Sequence, residues 1–502
     1  MKALPTALAL ALYLLPTVAL AFPVTVLQET GPITRRYNIA VLGDGYRADD
    51  QAKLTIDART LIRDIFEQSP YASYRGLFNI KVVQAVSVDQ GAKNGTAGGS
   101  PNTIFDANFA CEGVSRLLCV DERAVLAAAA RDVPEFNLAI VIVNDTKYGG
   151  SGGDVPCVST NRLAADILRH ELGHNLADLA DEYETPYSGY PACSRTNDCR
   201  EPNVTLRNTR ANVKWLDWIP PATQVPTPEG AGVAGVGLFE GARYLSSGVY
   251  RPVERACKMR TIGQPFCPVC AEGLVRAFWN LPNVGLIDAA TPAGEARTDT
   301  CSPVTFSVTT PTVDPSTLTF SWSVDGQPHA GGPKAAPSNT ETAATASLVV
   351  EPRLLSAAQH VVAVTVKDAT ALVRSDPQRV LQEEHTWGFT AAGCFDAASV
   401  DAPGGGVVGE DGTAGNFGQD GSTRGDASAA IDSAVTPPPD AAGTAETGGA
   451  GASESIQGCA CRIIGPRPHD RKRDVVFWSL IIASAAVSAW RRRRVAPSQA
   501  RS

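Results

Sequence analysis

The stretch His170-Glu171-Leu172-Gly173-His174 decides how the first half of this chain is interpreted. Its two histidines are four residues apart, so on a helix both imidazoles project from one face and can hold one zinc ion. The glutamate between them is placed to take a proton from a water molecule at that metal. The chain has six histidines, and His170 and His174 are the two that lie within residues 22–290. The motif therefore predicts a helical zinc site with Glu171 as general base.

A catalytic zinc site usually has three protein ligands, and here the third is expected to be a carboxylate. Asp181 and Glu182 follow the motif closely. On a straight helix Asp181 would face the same side as His174 but lie about 10 Å further along, so the helix has to end soon after His174 and the chain has to turn back. We expect Asp181 to be the ligand. Glu182 as ligand, or either carboxylate as a group that orients a histidine, stays open.

Three apolar runs rich in Val and Ile precede the motif, and helical patterns lie between them. The runs are Tyr37–Leu42, Phe78–Val86 and Leu138–Val143, and the helical patterns cover Asp50–Gln68 and Asp121–Arg131. This alternation predicts an α/β domain with a mainly parallel sheet, which we place at residues 22–290. The glycine-rich segment 149–153 is interpreted as a flexible loop, either the lip of a substrate cleft or a mobile connection, that could offer an edge strand to an extended peptide.

The second half of the chain changes in character. Short alternating strands separated by turn residues predict an all-β sandwich at residues 297–395. Within it, residues 320–326 (FSWSVDG) resemble the central strand of immunoglobulin-like or PKD-type domains. Residues 396–457 are rich in Gly, Ala, Ser, Asp, Thr and Pro, which is typical of a disordered linker.

Both ends of the chain carry features of export. Residues 1–21 end in Ala19-Leu20-Ala21 and are typical of a cleaved signal peptide. The tail at residues 458–496 has a Gly-Cys-x-Cys motif, one apolar run at Val475–Trp490 and then four arginines, which predicts a transmembrane segment with its basic end inside the cell. The tail resembles the MYXO-CTERM sorting signal. That resemblance implies an exported protein attached to the cell surface or outer envelope, or released from it.

Twelve cysteines in an exported chain favour disulfides. We expect the pairs Cys111/Cys119, Cys193/Cys199 and Cys301/Cys394. Four further cysteines lie within residues 22–290, and two of them form a C-x-x-C motif that is compatible with a redox pair or a second zinc site. We expect disulfides here too, because a zinc site built on C-x-x-C would need another matching pair. These four cysteines are Cys157, Cys257, Cys267 and Cys270.

The residues around the zinc motif resemble the IgA-peptidase-type zinc metallopeptidases of bacteria. The similarity covers about residues 25–285 and rests, besides the motif, on the segments at residues 42–46 (LGDGY), 148–152 (YGGSG), 179–183 (LADEY), 248–252 (GVYRP) and 257–260 (CKMR). It implies a metzincin-like fold and a protein or peptide substrate. Metzincins place a methionine in a tight turn beneath the zinc, and Met259 is the candidate for this Met-turn. Where relatives carry glycines after the second histidine, this chain has Ala177 and Asp178.

Together these features predict a secreted or surface-attached zinc endopeptidase, monomeric and with one zinc ion per catalytic domain. Tyr183 or Tyr250 is the candidate oxyanion stabiliser. Two alternatives remain: a non-catalytic surface adhesion protein on a peptidase-like scaffold, and a zinc amidase acting on cell-wall peptides. The net charge of −8 and the lack of a basic patch interleaved with aromatic residues argue against nucleic-acid binding.

Overall fold

The structure is a computed structural model. It describes residues 21–187, 190–194, 196–298, 301–329, 332–333, 343–355, 358–391 and 394. Most of the expected signal peptide, the linker at 396–457 and the tail at 458–496, with its expected transmembrane segment, lie outside these residues. Within the described part of the chain, no helix is long and apolar enough to cross a membrane.

The first half is built on a six-stranded sheet in the order β1-β3-β2-β6-β8-β7. The strands of this sheet are β1 (Val24–Gln28), β2 (Tyr37–Asp44), β3 (Phe78–Val83), β6 (Leu138–Val143), β7 (Gly150–Ser151) and β8 (Cys157–Ser159), and β4 (Asn108–Phe109) pairs with β5 (Leu118–Cys119) beside it. The four inner strands run parallel, and the two edge strands run antiparallel to their neighbours. The three apolar runs thus form β2, β3 and β6, as the sequence predicts.

Helices cover both faces of this sheet, which explains why its central strands are almost completely buried and rich in apolar residues. The helices are α1 (Gln51–Ile65), α2 (Glu122–Asp132), α3 (Ala164–Ala177) and α4 (Pro268–Trp279). Ile39 and Val41 point into the core shared with α1, α3 and α4. Ala40 and Leu42 point into the second core, against α2. Alternate residues of β2 therefore serve opposite layers, and the layer with α3 carries the zinc motif.

The glycine-rich segment is more ordered than the sequence suggested. Gly150 and Ser151 form edge strand β7, and residues 149–152 are buried. A Cβ atom at Gly150 would lie 2.8 Å from Ile167 Cγ2 of α3 and 2.9 Å from the Cys157 carbonyl oxygen. The interpretation of the whole segment as a flexible loop was wrong, because here the glycine lets the strand approach the active-site helix closely.

A hairpin follows the loop-rich middle of the chain and consists of β9 (Phe239–Ala242) and β10 (Leu245–Arg251). The remaining strands form two sheets, β11-β13-β17-β16 and β12-β19-β18-β14-β15. They are β11 (Ala289–Thr291), β12 (Ala296–Thr298), β13 (Val304–Pro311), β14 (Leu318–Val324), β15 (Gln327–His329), β16 (Gly332–Pro333), β17 (Ala343–Val350), β18 (Gln359–Asp368) and β19 (Gln382–Ala391). Phe306 packs on Trp387, which stacks on Trp322 between the sheets.

The two halves share buried polar contacts. Asp368 on β18 accepts hydrogen bonds from Tyr74 Oη at 2.7 Å and from Trp279 Nε1 at 2.8 Å. Arg36 forms a two-pronged ion pair with Asp288, with both N–O distances at 2.6 Å. A buried carboxylate that accepts two donors from the other half ties the β region firmly to the α/β region.

Three disulfides join the cysteines expected from spacing: Cys111 to Cys119, Cys193 to Cys199, and Cys301 to Cys394. The expectation of further disulfides was wrong for the other four described cysteines. Cys157, Cys257, Cys267 and Cys270 are all buried free thiols. Cys157 lies apart from the other three and contacts the Leu118 carbonyl oxygen, so it has no cysteine to pair with.

Candidate metal centre

Helix α3 presents the two histidines of the motif side by side. The Nε2 atoms of His170 and His174 are 3.2 Å apart, as the spacing of four residues requires on a helix. Most of the helix is buried between the sheet and α4, including both His170 and Glu171. The imidazoles are therefore fixed by packing as well as by the helical backbone.

The helix ends three residues after the motif. Asp178 adopts a left-handed conformation with φ of 55°, and its N–H donates to the His174 carbonyl oxygen. The next N–H, from Leu179, donates to the Gly173 carbonyl oxygen at 3.1 Å, so the chain reverses over the last turn of the helix. Asp178 thus stands where relatives carry a glycine. An aspartate tolerates the left-handed region better than most residues, so the missing glycine does not prevent the turn.

This reversal brings Asp181 to the two histidines. Its Oδ1 atom lies 3.1 Å from His170 Nε2 and 3.5 Å from His174 Nε2. Ligands of a tetrahedral ion at about 2.0–2.1 Å are about 3.3 Å apart, so these three donor atoms are spaced as a zinc ion requires. His170, His174 and Asp181 form one of the groups of side chains able to hold a metal ion.

Backbone carbonyl groups orient both imidazoles. The Nδ1 atom of His170 lies 3.0 Å from the Lys258 carbonyl oxygen, and that of His174 lies 2.6 Å from the Leu179 carbonyl oxygen. A carbonyl oxygen can only accept, so each Nδ1 carries a proton and each Nε2 is left to bind either a metal ion or a second proton. This donor set, with two neutral nitrogens and one carboxylate oxygen, fits zinc.

Burial and the neighbouring charges shift the pKa values of His174 and Asp181 in opposite directions. Burial alone would lower the pKa of His174, but the Asp181 carboxylate and, to a smaller extent, Glu171 raise it to about 9. Burial alone would raise the pKa of Asp181, but the two imidazoles hold it well below its usual range. Without a metal, the positive charge that Asp181 attracts is a proton on His174. A metal ion would supply that charge instead.

Glu171 is completely buried one residue after His170, and its carboxylate lies close enough to act on the charge of His174. Successive residues of a helix are rotated by about 100°, so Glu171 projects beside the face that carries the two histidines.

Tyr244, which the sequence gave no reason to select, holds the second oxygen of Asp181. Its hydroxyl donates to Asp181 Oδ2 at 2.5 Å. Tyr244 and Arg243 form the two-residue turn between β9 and β10, and both have positive φ values, of 60° and 50°. For residues other than glycine this costs about 1–2 kcal/mol each. Backbone bonds stabilise the turn, because Arg243 N donates to the Asp181 carbonyl oxygen and Tyr244 N to that of Tyr183.

A family model described as IgA Peptidase M64 matches residues 25–232. The match supports this peptidase family. Peptidases of this family are metallopeptidases, and the matched part contains His170, Glu171, His174 and Asp181. No curated protein matches the chain.

Met259 lies beyond the part matched to the M64 peptidase family, yet it packs beneath the same helix. Its side chain is fully buried, and a Cβ atom at Gly173 would lie 2.9 Å from its Sδ. The Met259 carbonyl oxygen accepts from the Glu182 N–H at 2.9 Å, and its neighbour Lys258 holds His170. Met259 therefore packs against α3 at Gly173, the residue directly before His174.

Of the other candidate residues, Tyr183 lies beside His170, whereas Tyr250 and Glu182 face elsewhere. Tyr183 stacks against His170, with ring centroids 6.2 Å apart. The Tyr250 hydroxyl lies near Asn208 and Glu240 instead. The Glu182 side chain points away from Asp181 and lies among Cys257, Cys267 and Cys270. Neighbouring residues in extended chain face opposite sides, so Asp181 and Glu182 cannot both reach the histidines.

Proposed function

We propose that the protein is a zinc endopeptidase in which His170, His174 and Asp181 bind the metal and Glu171 is the general base. The observation that carries the proposal is the convergence of three oriented donor atoms, 3.1–3.5 Å apart, directly beside a buried glutamate. The match to a peptidase family supports it independently.

In this mechanism the protein orients the reactants and moves one proton. Zinc, when bound, supplies a Lewis acid that polarises the peptide carbonyl and makes water more acidic. The Glu171 carboxylate accepts the proton of the attacking water and delivers it to the leaving nitrogen. Tyr183, stacked beside His170, is the nearer of the two tyrosines proposed to stabilise the oxyanion.

The test is hydrolysis of casein and of a mixed peptide library by the full-length protein and by Glu171→Gln, with bound zinc measured in both. Removing a general base typically costs a factor of about 10²–10⁴ in rate. We expect Glu171→Gln to lose activity by such a factor and to keep its zinc, because Glu171 is not a ligand. His174→Ala, the matched control, should lose the zinc ion of this site together with the activity.

Other outcomes would replace the proposal. Cleavage of cell-wall peptides without cleavage of casein would favour a zinc amidase. Zinc bound to a folded protein without any hydrolysis would favour an adhesion protein on a peptidase scaffold. Equal activity of the native protein and Glu171→Gln would contradict the assigned base.

We also propose the finer fold assignments. The left-handed turn after α3 and the methionine beneath it support a metzincin-like catalytic domain. The strand orders β11-β13-β17-β16 and β12-β19-β18-β14 correspond to the ABED and CFG sheets of an immunoglobulin-like sandwich, with β12 as an added edge strand. The three disulfides support export to an oxidising compartment, where a surface-attached peptidase would act on protein or peptide substrates.

A further inference from the structure

Three cysteines and one glutamate form a second cluster of possible metal ligands, separate from the group of His170, His174 and Asp181. This cysteine cluster consists of Cys257, Cys267, Cys270 and Glu182, and one ligand atom from each lies within 4.8 Å of all the others. All four side chains are buried, with at most 2% of any residue exposed. Neither the catalytic residues nor the three disulfides use any of these groups.

The distances inside the cysteine cluster match those between metal ligands. Cys257 Sγ lies 3.6 Å from Cys270 Sγ, and Cys270 Sγ lies 3.3 Å from Glu182 Oε1. In a tetrahedral zinc site with Zn–S of about 2.3 Å and Zn–O of about 2.1 Å, sulfur atoms are about 3.8 Å apart and sulfur and oxygen about 3.6 Å. A disulfide would bring two sulfurs to about 2.0 Å and leave the third cysteine unpaired.

Glu182 is the strongest indication that an ion belongs here. Its Oε1 accepts a hydrogen bond from Asn203 Nδ2 at 3.0 Å, whereas Oε2 is buried without a hydrogen-bond partner. A carboxylate buried beside three cysteines, with one oxygen left without a donor, is costly unless a cation satisfies it. Zinc is the metal that combines readily with thiolates and a carboxylate in a closed site.

Several positive groups lie close to the cysteine cluster. Cys267 is the residue that caps α4, and Cys270 lies in the first turn of that helix, where the helix dipole stabilises negative charge. The buried cations Arg251 and Lys258 act electrostatically on Glu182 and Cys257. These positive charges offset the excess negative charge of three thiolates and one carboxylate around a divalent ion.

We propose that Cys257, Cys267, Cys270 and Glu182 hold a structural zinc ion. All four positions are filled by protein ligands, so this ion has no open position for a substrate. Its binding releases the protons of the three thiols to solvent. The ion would link three segments: the chain carrying Asp181, the loop carrying Lys258 and Met259, and the start of α4. Lys258 in turn orients His170, so the structural ion would also support the catalytic site.

The experiment counts zinc in the full-length protein and does not depend on catalysis. We expect about two zinc ions per chain in the native protein and about one in His170→Ala/His174→Ala. In that double variant, replacement of zinc by cobalt should give the near-ultraviolet absorption of thiolate-to-cobalt charge transfer. Further substitution of Cys267→Ser and Cys270→Ser should abolish both the metal and this absorption, whereas Cys157→Ser, which removes a buried thiol outside the cluster, should leave them unchanged.

A second measurement on the native protein avoids variants that fail to fold. The protein is unfolded in chelator without reductant, alkylated and mapped by mass spectrometry. Alkylation of Cys257, Cys267 and Cys270 in the same molecules supports the proposal. A disulfide joining any two of them, or a His170→Ala/His174→Ala protein that is folded but free of metal, overturns it. Neither the zinc count nor the map of alkylated cysteines depends on peptidase activity, so the result for Glu171→Gln does not affect them.

Discussion

The hydrogen bond from Tyr244 to Asp181 offers a direct measure of how the metal centre is held. Tyr244→Phe removes one hydroxyl and leaves Asp181 Oδ2 without its 2.5 Å donor. A hydrogen bond to a charged group contributes about 1.5–3 kcal/mol, and about 1.4 kcal/mol corresponds to a factor of ten in an equilibrium constant. If the bond serves mainly to orient the ligand, zinc affinity at this site should fall by a factor of about 10–100, the usual effect of removing such a partner.

The assay is competition for zinc with a chromophoric chelator, and the matched control is Tyr74→Phe. Tyr74 also donates to a buried aspartate, Asp368, at 2.7 Å, but that bond lies between the two halves of the protein. We expect Tyr74→Phe to lower the free energy of unfolding and to leave zinc affinity unchanged. Unchanged zinc affinity in Tyr244→Phe, or an equal loss in both variants, would refute the assignment of Asp181 as a ligand held by Tyr244.

Three further predictions concern packing, the contact between the halves and acid stability. Gly173→Ala should lower the free energy of unfolding by about 1 kcal/mol, because crowding the buried Met259 costs about 1–3 kcal/mol and outweighs a gain in helix propensity of about 1 kcal/mol. The measurement is a urea titration, and a higher unfolding midpoint would contradict the prediction. Asp368→Ala should lower the free energy of unfolding by about 3 kcal/mol, because it leaves the buried donors of Tyr74 and Trp279 without an acceptor, at about 1–3 kcal/mol each. An unchanged melting temperature would count against the buried contact. Burial would raise the pKa of Asp166, but hydrogen bonds from Arg169 and Lys258 hold it below 3.8, so this carboxylate stabilises the fold above that pH and the effect fades as the pH falls through the lowered pKa. Asp166→Asn should therefore be less stable than the native protein at pH 6 and nearly equal to it in strong acid, and a difference that does not change with pH would contradict the assignment.

Local patterns in the sequence were enough to predict the sheet and the first two donor atoms. Strands β2, β3 and β6 are rich in apolar residues because helices cover both faces of the sheet. The spacing of His170 and His174 places both on one side of α3. Asp181 followed from a distance argument, since a straight helix would carry it too far from the histidines.

Local sequence patterns could not predict contacts between segments that are far apart in the chain. Tyr244 reaches Asp181 from a hairpin 63 residues away, and its turn uses two residues that rarely adopt positive φ. Likewise, the C-x-x-C motif suggested a disulfide because the sequence has no second C-x-x-C pair near it to complete a metal site. Only the fold brings Cys257 and Glu182 to the start of α4. The sequence suggested an edge strand in the glycine-rich segment but not its burial, which depends on the close contact of Gly150 with α3.

The order of these parts along the chain also determines when the metal centre can be completed. His170 is synthesised first, whereas the carbonyl group of Lys258 that orients it and the buried Met259 come 88 and 89 residues later. At about 5–20 residues per second, a growing chain needs roughly 5–20 s to add them. During that interval the zinc motif exists without the groups that orient and support it. A peptidase assembled in this order stays incomplete while its own chain is still unfolded, which is when that chain is most easily cut.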